Sequence, residues 1–266
     1  MEDMDLVDSH AHMADAAFDP DRAEVLARAR AAGVGAIVCV GETLAEAERI
    51  LVLAAEHPLL RPCAGLFPTY LDEAEAGEVV KFLDRHRDRL VAVGEVGLDH
   101  WKVQEPADLE IQERIFRRFV QAALRLDLPV NVHSRSAGRR TIEVLREEKA
   151  RRVLLHAFDG RAATAAPAVE AGYLFSVPPS TVRSAQKQKL FRRLPLENLL
   201  LETDSPVLGP DPGVRNEPVN LLVAARALAA LKGVEEAAVL EATTANARRL
   251  FGDALSRSGF LRPFRS

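Results

Sequence analysis

Eight short apolar runs, separated by longer stretches of helical periodicity, constrain this chain more than any other feature of its sequence. The runs fall at residues 6–7, 36–40, 60–65, 90–93, 128–132, 153–155, 173–176 and 199–201. Several are rich in Val, Ile and Leu without polar alternation, as expected of parallel strands covered on both faces. Helical patterns lie between them at 21–32, 44–55, 75–86, 109–126, 137–148, 162–171 and 182–193, and two more at 218–231 and 234–250 close the chain. Gly33 and Gly172 stop the first and sixth helices, and Pro195 follows the seventh. Strands alternating with helices, with short connections except after the fourth and eighth strands, predict an α/β fold: one (β/α)8 TIM barrel over 1–252, with a tail at 253–266. An open doubly wound sheet is the alternative. The lack of a Gly-rich phosphate fingerprint after the first strand counts against it.

The 266 residues are 48% hydrophobic, enough to bury a core without disulfides. The net charge of −4 excludes a generally basic, DNA-coating protein and leaves room for a local basic patch. Cys39 and Cys63 sit in apolar runs without zinc-type spacing, so both are expected to be reduced core thiols. The start is acidic (Glu2, Asp3, Asp5), unlike a secretory signal, and no run approaches a membrane span. These features predict a cytoplasmic protein. The closing segment is basic and carries Phe260 and Phe264, which either dock or fray.

In a barrel of this type the active site forms at the C-terminal strand ends. His10 and His12 end the first strand, Glu95 the fourth, His133 the fifth, His156 the sixth and Asp204 the eighth. Taken singly, each has an ordinary reading as a loop, capping or turn residue. Taken together, four histidines and two carboxylates would meet at one mouth, where they could not all be satisfied without a cation. Of the other histidines, His57 and His86 are expected to be solvent-exposed, and His100 lies close enough to the mouth in sequence to contact a substrate.

Six segments carry a family resemblance: D-S-H-A-H (8–12), G-E-V-G-L-D (94–99), H-S-R (133–135), H-A-F-D-G (156–160), E-T-D-S-P (202–206) and R-N-E-P-V-N (215–220). With the closing T-T-A-N-A-R-R-L-F (243–251), they resemble the ordered motifs of the TatD family of metal-dependent deoxyribonucleases from about residue 5 to 252. The resemblance implies an amidohydrolase-like barrel that hydrolyses DNA phosphodiester bonds with water activated by divalent metal. It implies that His10, His12, Glu95 and Asp204 hold one ion and that Glu95, His133 and His156 hold a second, with Glu95 bridging. Asp204 would also orient or deprotonate the water. A His-rich donor set suits Zn²⁺ or Mn²⁺, and Mg²⁺ would bind more weakly. One position departs from the family: Phe67 in Gly65-Leu66-Phe67-Pro68 stands where a substrate-facing histidine is usual.

A DNA substrate, single-stranded or with accessible ends, needs cations around the mouth. Lys102, Arg135 and Arg215 are the candidates, with Arg139, Arg140 and Arg183 as further members of a patch, and Trp101 could stack on an unpaired base. Glu217 is expected to anchor its loop through an arginine. Two rival readings keep the scaffold: an amidase, deacylase or lactonase using the same ligands, or a binding protein without catalysis, which Phe67 alone favours.

Overall fold

A computed structural model describes residues 6–255. Phe260 and Phe264 lie outside the described residues. The strands β1 (Leu6–Ala11), β2 (Val34–Gly41), β3 (Leu60–Ala64), β4 (Ala92–Gly97), β5 (Val130–His133), β6 (Val153–Leu155), β7 (Leu174–Val177) and β8 (Leu199–Leu201) pair in parallel in sequence order. Around them lie α1 (Arg22–Ala31), α2 (Leu44–Glu56), α3 (Glu73–His86), α4 (Pro106–Leu126), α5 (Gly138–Glu147), α6 (Ala162–Glu170), α7 (Ala185–Arg193), α8 (Leu221–Lys232) and α9 (Glu236–Phe251). The last strand meets the first across a seam. There Asp204 N–H donates to the His10 carbonyl at 2.9 Å, His12 N–H to the Ser205 carbonyl at 2.7 Å, and Ser9 Oγ to the Leu201 carbonyl at 2.8 Å.

Two elements begin later than the sequence predicts. Pro179–Arg183 and Pro218–Asn220 form 3-10 turns, so α7 starts at Ala185, capped by Ser184, and α8 at Leu221. Conversely, β1 runs four residues past its apolar dipeptide, because Asp8, Ser9 and His10 are buried polar residues inside the strand. No described helix is long and apolar enough to cross a membrane.

Side-chain alternation sorts the strands into an outer and an inner core. On β2, Ile37 and Cys39 join the outer cluster under the helices, while Ala36, Val38 and Val40 join the inner one. The inner cluster also takes Val7, Leu154, Leu174 and Leu200 from the strands, and Leu250, Phe251 and Leu255 from the end of α9 and just beyond, which plug the barrel bottom. Above this apolar layer the inward positions turn polar: Asn131, Ser176 and Glu202, all buried.

Strict alternation carries His133, His156 and Asp204 inward, but not His10 or Glu95. On β4, Val93 and Val96 are three apart, yet both face the outer core, because the pairing with β5 slips between them. The slip turns Glu95 inward. The β1–β2 pairing slips in the same way between Asp8 and Ala11, and His10 reaches in toward the axis. A β-bulge re-aims a side chain in just this manner.

Candidate metal centre

The two bulged residues and the three strand-end residues meet, with His12, at one point of the mouth. His10 Nε2 and His12 Nε2 are 3.3 Å apart, Glu95 Oε2 lies 3.5 and 3.4 Å from them, and Asp204 Oδ1 lies 3.5 and 3.3 Å from them. Donors about 2.1 Å from a common ion, the length of a Zn–N or Zn–O bond, stand about 3.4 Å apart in a tetrahedral arrangement, which is close to the separation in each of these five pairs. The other oxygen of Glu95, Oε1, faces a second group: His133 Nδ1 at 2.7 Å and His156 Nε2 at 2.8 Å, with 3.3 Å between the two nitrogens. Both triads, His10–His12–Glu95 and Glu95–His133–His156, could hold a metal ion.

The donor set fits a cation for a further reason. Glu95 Oε2 and Asp204 Oδ1 are buried atoms with no hydrogen-bond partner. Buried polar atoms are rarely left so, and these two oxygens both lie against His10 Nε2 and His12 Nε2. Their carboxylates are nonetheless ionised. Burial alone would push Glu95 up, but His156, His10 and His133 hold it well below the usual carboxylate range. Burial likewise opposes ionisation of Asp204, and the His12 contact with His10 and His156 draws it down. His12 shows the reciprocal effect: burial would lower it, but Asp204, Glu95 and Glu42 raise it to about 9.

Two of the ring nitrogens that do not face the centre are fixed from behind, as metal-binding histidines usually are. His10 Nδ1 lies 3.0 Å from Asn131 Oδ1, and His133 Nε2 lies 3.1 Å from Asp99 Oδ2. His156 Nδ1 is buried without a hydrogen-bond partner, 3.7 Å from Glu202 Oε2, whose carboxylate accepts from Ser176 Oγ at 2.5 Å and from the Ala157 N–H at 2.9 Å. Asp8 serves the seam: it accepts from the Thr203 N–H at 2.9 Å and the Thr203 hydroxyl at 2.5 Å, and burial pushes it up to about 8 against those bonds. Sequence reasoning did not single out Asp8, Asn131, Asp99 or Glu202 as site residues. The only signal was a polar residue interrupting an apolar run, which also occurs at strand ends of no chemical consequence.

The comparison that decides kinship is a match of residues 7–252 to the family described as "TatD related DNase". The chain belongs to the TatD family. Among its TatD-family relatives, the mouse "Putative deoxyribonuclease TATDN3" is 48% identical over 92% of this chain and 88% of its own length. The human "Deoxyribonuclease TATDN3" is 46% identical over 92% and 94%. The crystal structure of YJJV, a TatD homologue from Escherichia coli, superposes with a TM-score of 0.86 at 29% identity, over 94% of this chain and 98% of that one.

The substrate-facing residues expected of a TatD-family chain divide sharply. The cavity at the candidate metal centre, about 540 Å³, is lined by Phe67 and Arg135 as well as five of the candidate ligands, His12, Glu95, His133, His156 and Asp204. Phe67 stands edge-on to His133, with ring centroids 5.0 Å apart, in place of the usual histidine. Trp101, half-exposed at 49%, does not stand open: the Arg135 guanidinium lies 3.7 Å and the Lys102 ammonium 4.7 Å from its ring centroid. The ring thus holds two cations at the mouth.

Arg215 is placed elsewhere. It bonds Asp21 at 2.6 and 2.8 Å and Glu217 at 3.1 Å, while Glu217 also pairs with Arg28. It fastens the loop after β8 to α1, which leaves Glu217 the anchor the sequence predicts and removes Arg215 from the mouth. Arg183 donates to the Gly209 carbonyl, and Arg139 is exposed outside the cavity. His100 lines a separate hollow with Glu113, Arg117 and Arg140. His57 and His86 are half-buried rather than exposed, His86 packing on Phe82 at 4.5 Å.

Arg140 is likewise spent on structure, bonding Glu113, Glu143 and Glu147 between α4 and α5. Its hydrogen bond, with burial opposing and Arg117 assisting, holds Glu113 at about 2, below the usual 4.5. A carboxyl depressed in the folded state stabilises fully above its unfolded value, and that contribution is lost as pH falls through the folded value. The difference in urea midpoint between wild type and Glu113→Gln is therefore expected to shrink as pH falls from about 4.5 toward 2. A difference constant over that range would show that the pair adds nothing through charge.

Proposed function

We propose that this chain is a metal-dependent deoxyribonuclease that cleaves phosphodiester bonds at a two-ion site held by His10, His12, Glu95, His133, His156 and Asp204. The observation that carries the reading is Glu95: its two carboxylate oxygens face two separate histidine groups. Imidazole-rich donors suit Zn²⁺ or Mn²⁺ better than Mg²⁺. When bound, such ions supply a nucleophilic water at neutral pH and neutralise charge on the phosphoryl oxygens.

The chain's own residues do the rest. Glu95 sets the spacing of the two halves of the site. Asp204, which lines the cavity and is drawn down by its histidine neighbours, would orient the attacking water and accept its proton. Asn131 and Asp99 hold the His10 and His133 imidazoles so that these need no reorientation during the reaction. Arg135 and Lys102, propped on Trp101, meet the backbone of the incoming strand.

A groove of about 680 Å³ adjoins the metal cavity and shares Phe67, His133 and Arg135 with it. A single strand can run from one hollow into the other, which supports single-stranded or frayed ends as substrate. Arg135→Ala is expected to raise KM and to reduce the salt dependence of binding by about one in log–log slope. An unchanged slope would remove Arg135 from the phosphate contacts.

The test of function is chelation, reloading with Zn²⁺, Mn²⁺ or Mg²⁺ separately, and assay on end-labelled single- and double-stranded DNA beside a panel of amides and lactones. Metal-restored cleavage of DNA alone is expected. Turnover of the amides or lactones without DNA cleavage would overturn the reading.

A further inference from the structure

One buried cation at this site has no role in the account above. Lys187 lies in the first turn of α7 and is only 9% exposed. Its side chain reaches inward to the strand ends and lines the metal cavity with His156, Asp204 and Arg135. The ammonium carries three donors. It uses one of them, to the Ala157 carbonyl at 2.7 Å. Among the described residues it has no other hydrogen bond and no carboxylate within 4.0 Å. Glu202, Asp159 and Asp204 act on it only through the longer-range field.

Buried lysines are nearly always paired, because an ammonium without a counter-ion is costly to desolvate. Here the acceptor is a main-chain carbonyl immediately after a candidate metal ligand. The remaining donors border the cavity, which is the one place where a partner can enter. The sequence gives no hint of this, since Gln186-Lys187-Gln188-Lys189 reads as a solvated helix face.

We infer that Lys187 binds the scissile phosphate, its free N–H groups donating to a non-bridging oxygen within the cavity it lines with Arg135. The inference rests on the phosphodiesterase reading of the site. The carbonyl contact would then serve to aim the side chain, and the substrate anion would complete its coordination. A lysine so placed also stabilises charge gathering on the phosphoryl oxygens, so its loss should appear in kcat as well as in KM.

The closing experiment compares the metal-loaded wild type with Lys187→Met, Lys187→Gln and Lys187→Arg. Inorganic phosphate is the probe, titrated calorimetrically and as a competitive inhibitor, together with metal content, Tm and turnover of single-stranded DNA. Lys187→Met and Lys187→Gln are expected to weaken phosphate binding at least tenfold and to lower kcat at least thirtyfold, with two ions retained. Lys187→Arg is expected to recover part of the phosphate affinity. Lys187→Gln keeps a donor for the Ala157 carbonyl while losing the charge, so it gives the answer even if the methionine variant fails to fold. Wild-type phosphate affinity and kcat in Lys187→Gln would overturn the inference and leave Lys187 a tether for α7, while DNA cleavage by the wild type would still stand. A metal-loaded wild type that neither binds phosphate nor cleaves DNA would overturn the phosphodiesterase reading itself, and this inference with it.

Discussion

Replacing Glu95 by alanine is expected to strip the protein of most of its bound metal and to lower DNA hydrolysis by a factor on the order of 10³ or more. The magnitude follows from position. Each of the other five candidate ligands serves one group of donors, whereas Glu95 Oε2 lies among His10, His12 and Asp204 and Oε1 lies against His133 and His156. Removing it takes the only negative charge from the second group and half of that in the first. It also leaves four histidines crowded together, with His10 and His156 stacked 3.8 Å apart. Glu95→Gln separates charge from volume: it fills the same space but cannot bridge two cations. Metal content by atomic emission and rates on end-labelled DNA give the readout. Two ions and near-normal turnover in either variant would disprove the bridging role.

The second large effect belongs to Asp204. Asp204→Asn is expected to reduce kcat by about 10²–10⁴, the range for a positioned acid–base group, while the protein stays folded. Asparagine is the right substitute for a specific reason. Asp204 has a left-handed backbone with φ of 54°, a conformation Asn tolerates and most residues resist. Its backbone N–H bond to the His10 carbonyl does not involve the side chain and survives the change. A loss of rate at unchanged Tm, circular dichroism and metal content therefore reports on chemistry. A variant that cleaves DNA at the wild-type rate would move the proton-accepting role to another residue, with Glu42 the next carboxylate on the cavity wall.

How much of this was legible in the sequence differs residue by residue. His133, His156 and Asp204 follow from simple alternation: His156 and Asp204 continue inward rows begun by Leu154 and Leu200, and His133 faces away from Val130 and Val132 of the outer core. His10 and Glu95 follow apolar runs in the sequence, but their inward direction depends on slips in strand pairing, and those depend on the neighbouring strand. No local pattern reveals them. The orienting residues were harder still. Asn131 and Glu202 sit within or beside apolar strands, where a polar residue reads as an interruption. Their purpose appears only when His10 and His156 arrive from distant strands. The basic patch fared worst. Arginines are frequent in this chain, and the sequence does not distinguish Arg135, which faces the cavity, from Arg140 and Arg215, which are bound to carboxylates on the flank.

The seam between β8 and β1 has one more consequence. The contacts across it join residues separated by as many as 195 positions, and both sides contribute to the first donor group: His10 and His12 from the start of the chain, Asp204 from its last strand. A cation seated there ties the earliest strand to the latest. During synthesis, the two histidines emerge long before the carboxylate that completes their group, and a chain interrupted before β8 has nothing to close against. On the proposed ligand set, full coordination of a cation therefore requires a barrel whose circuit is complete.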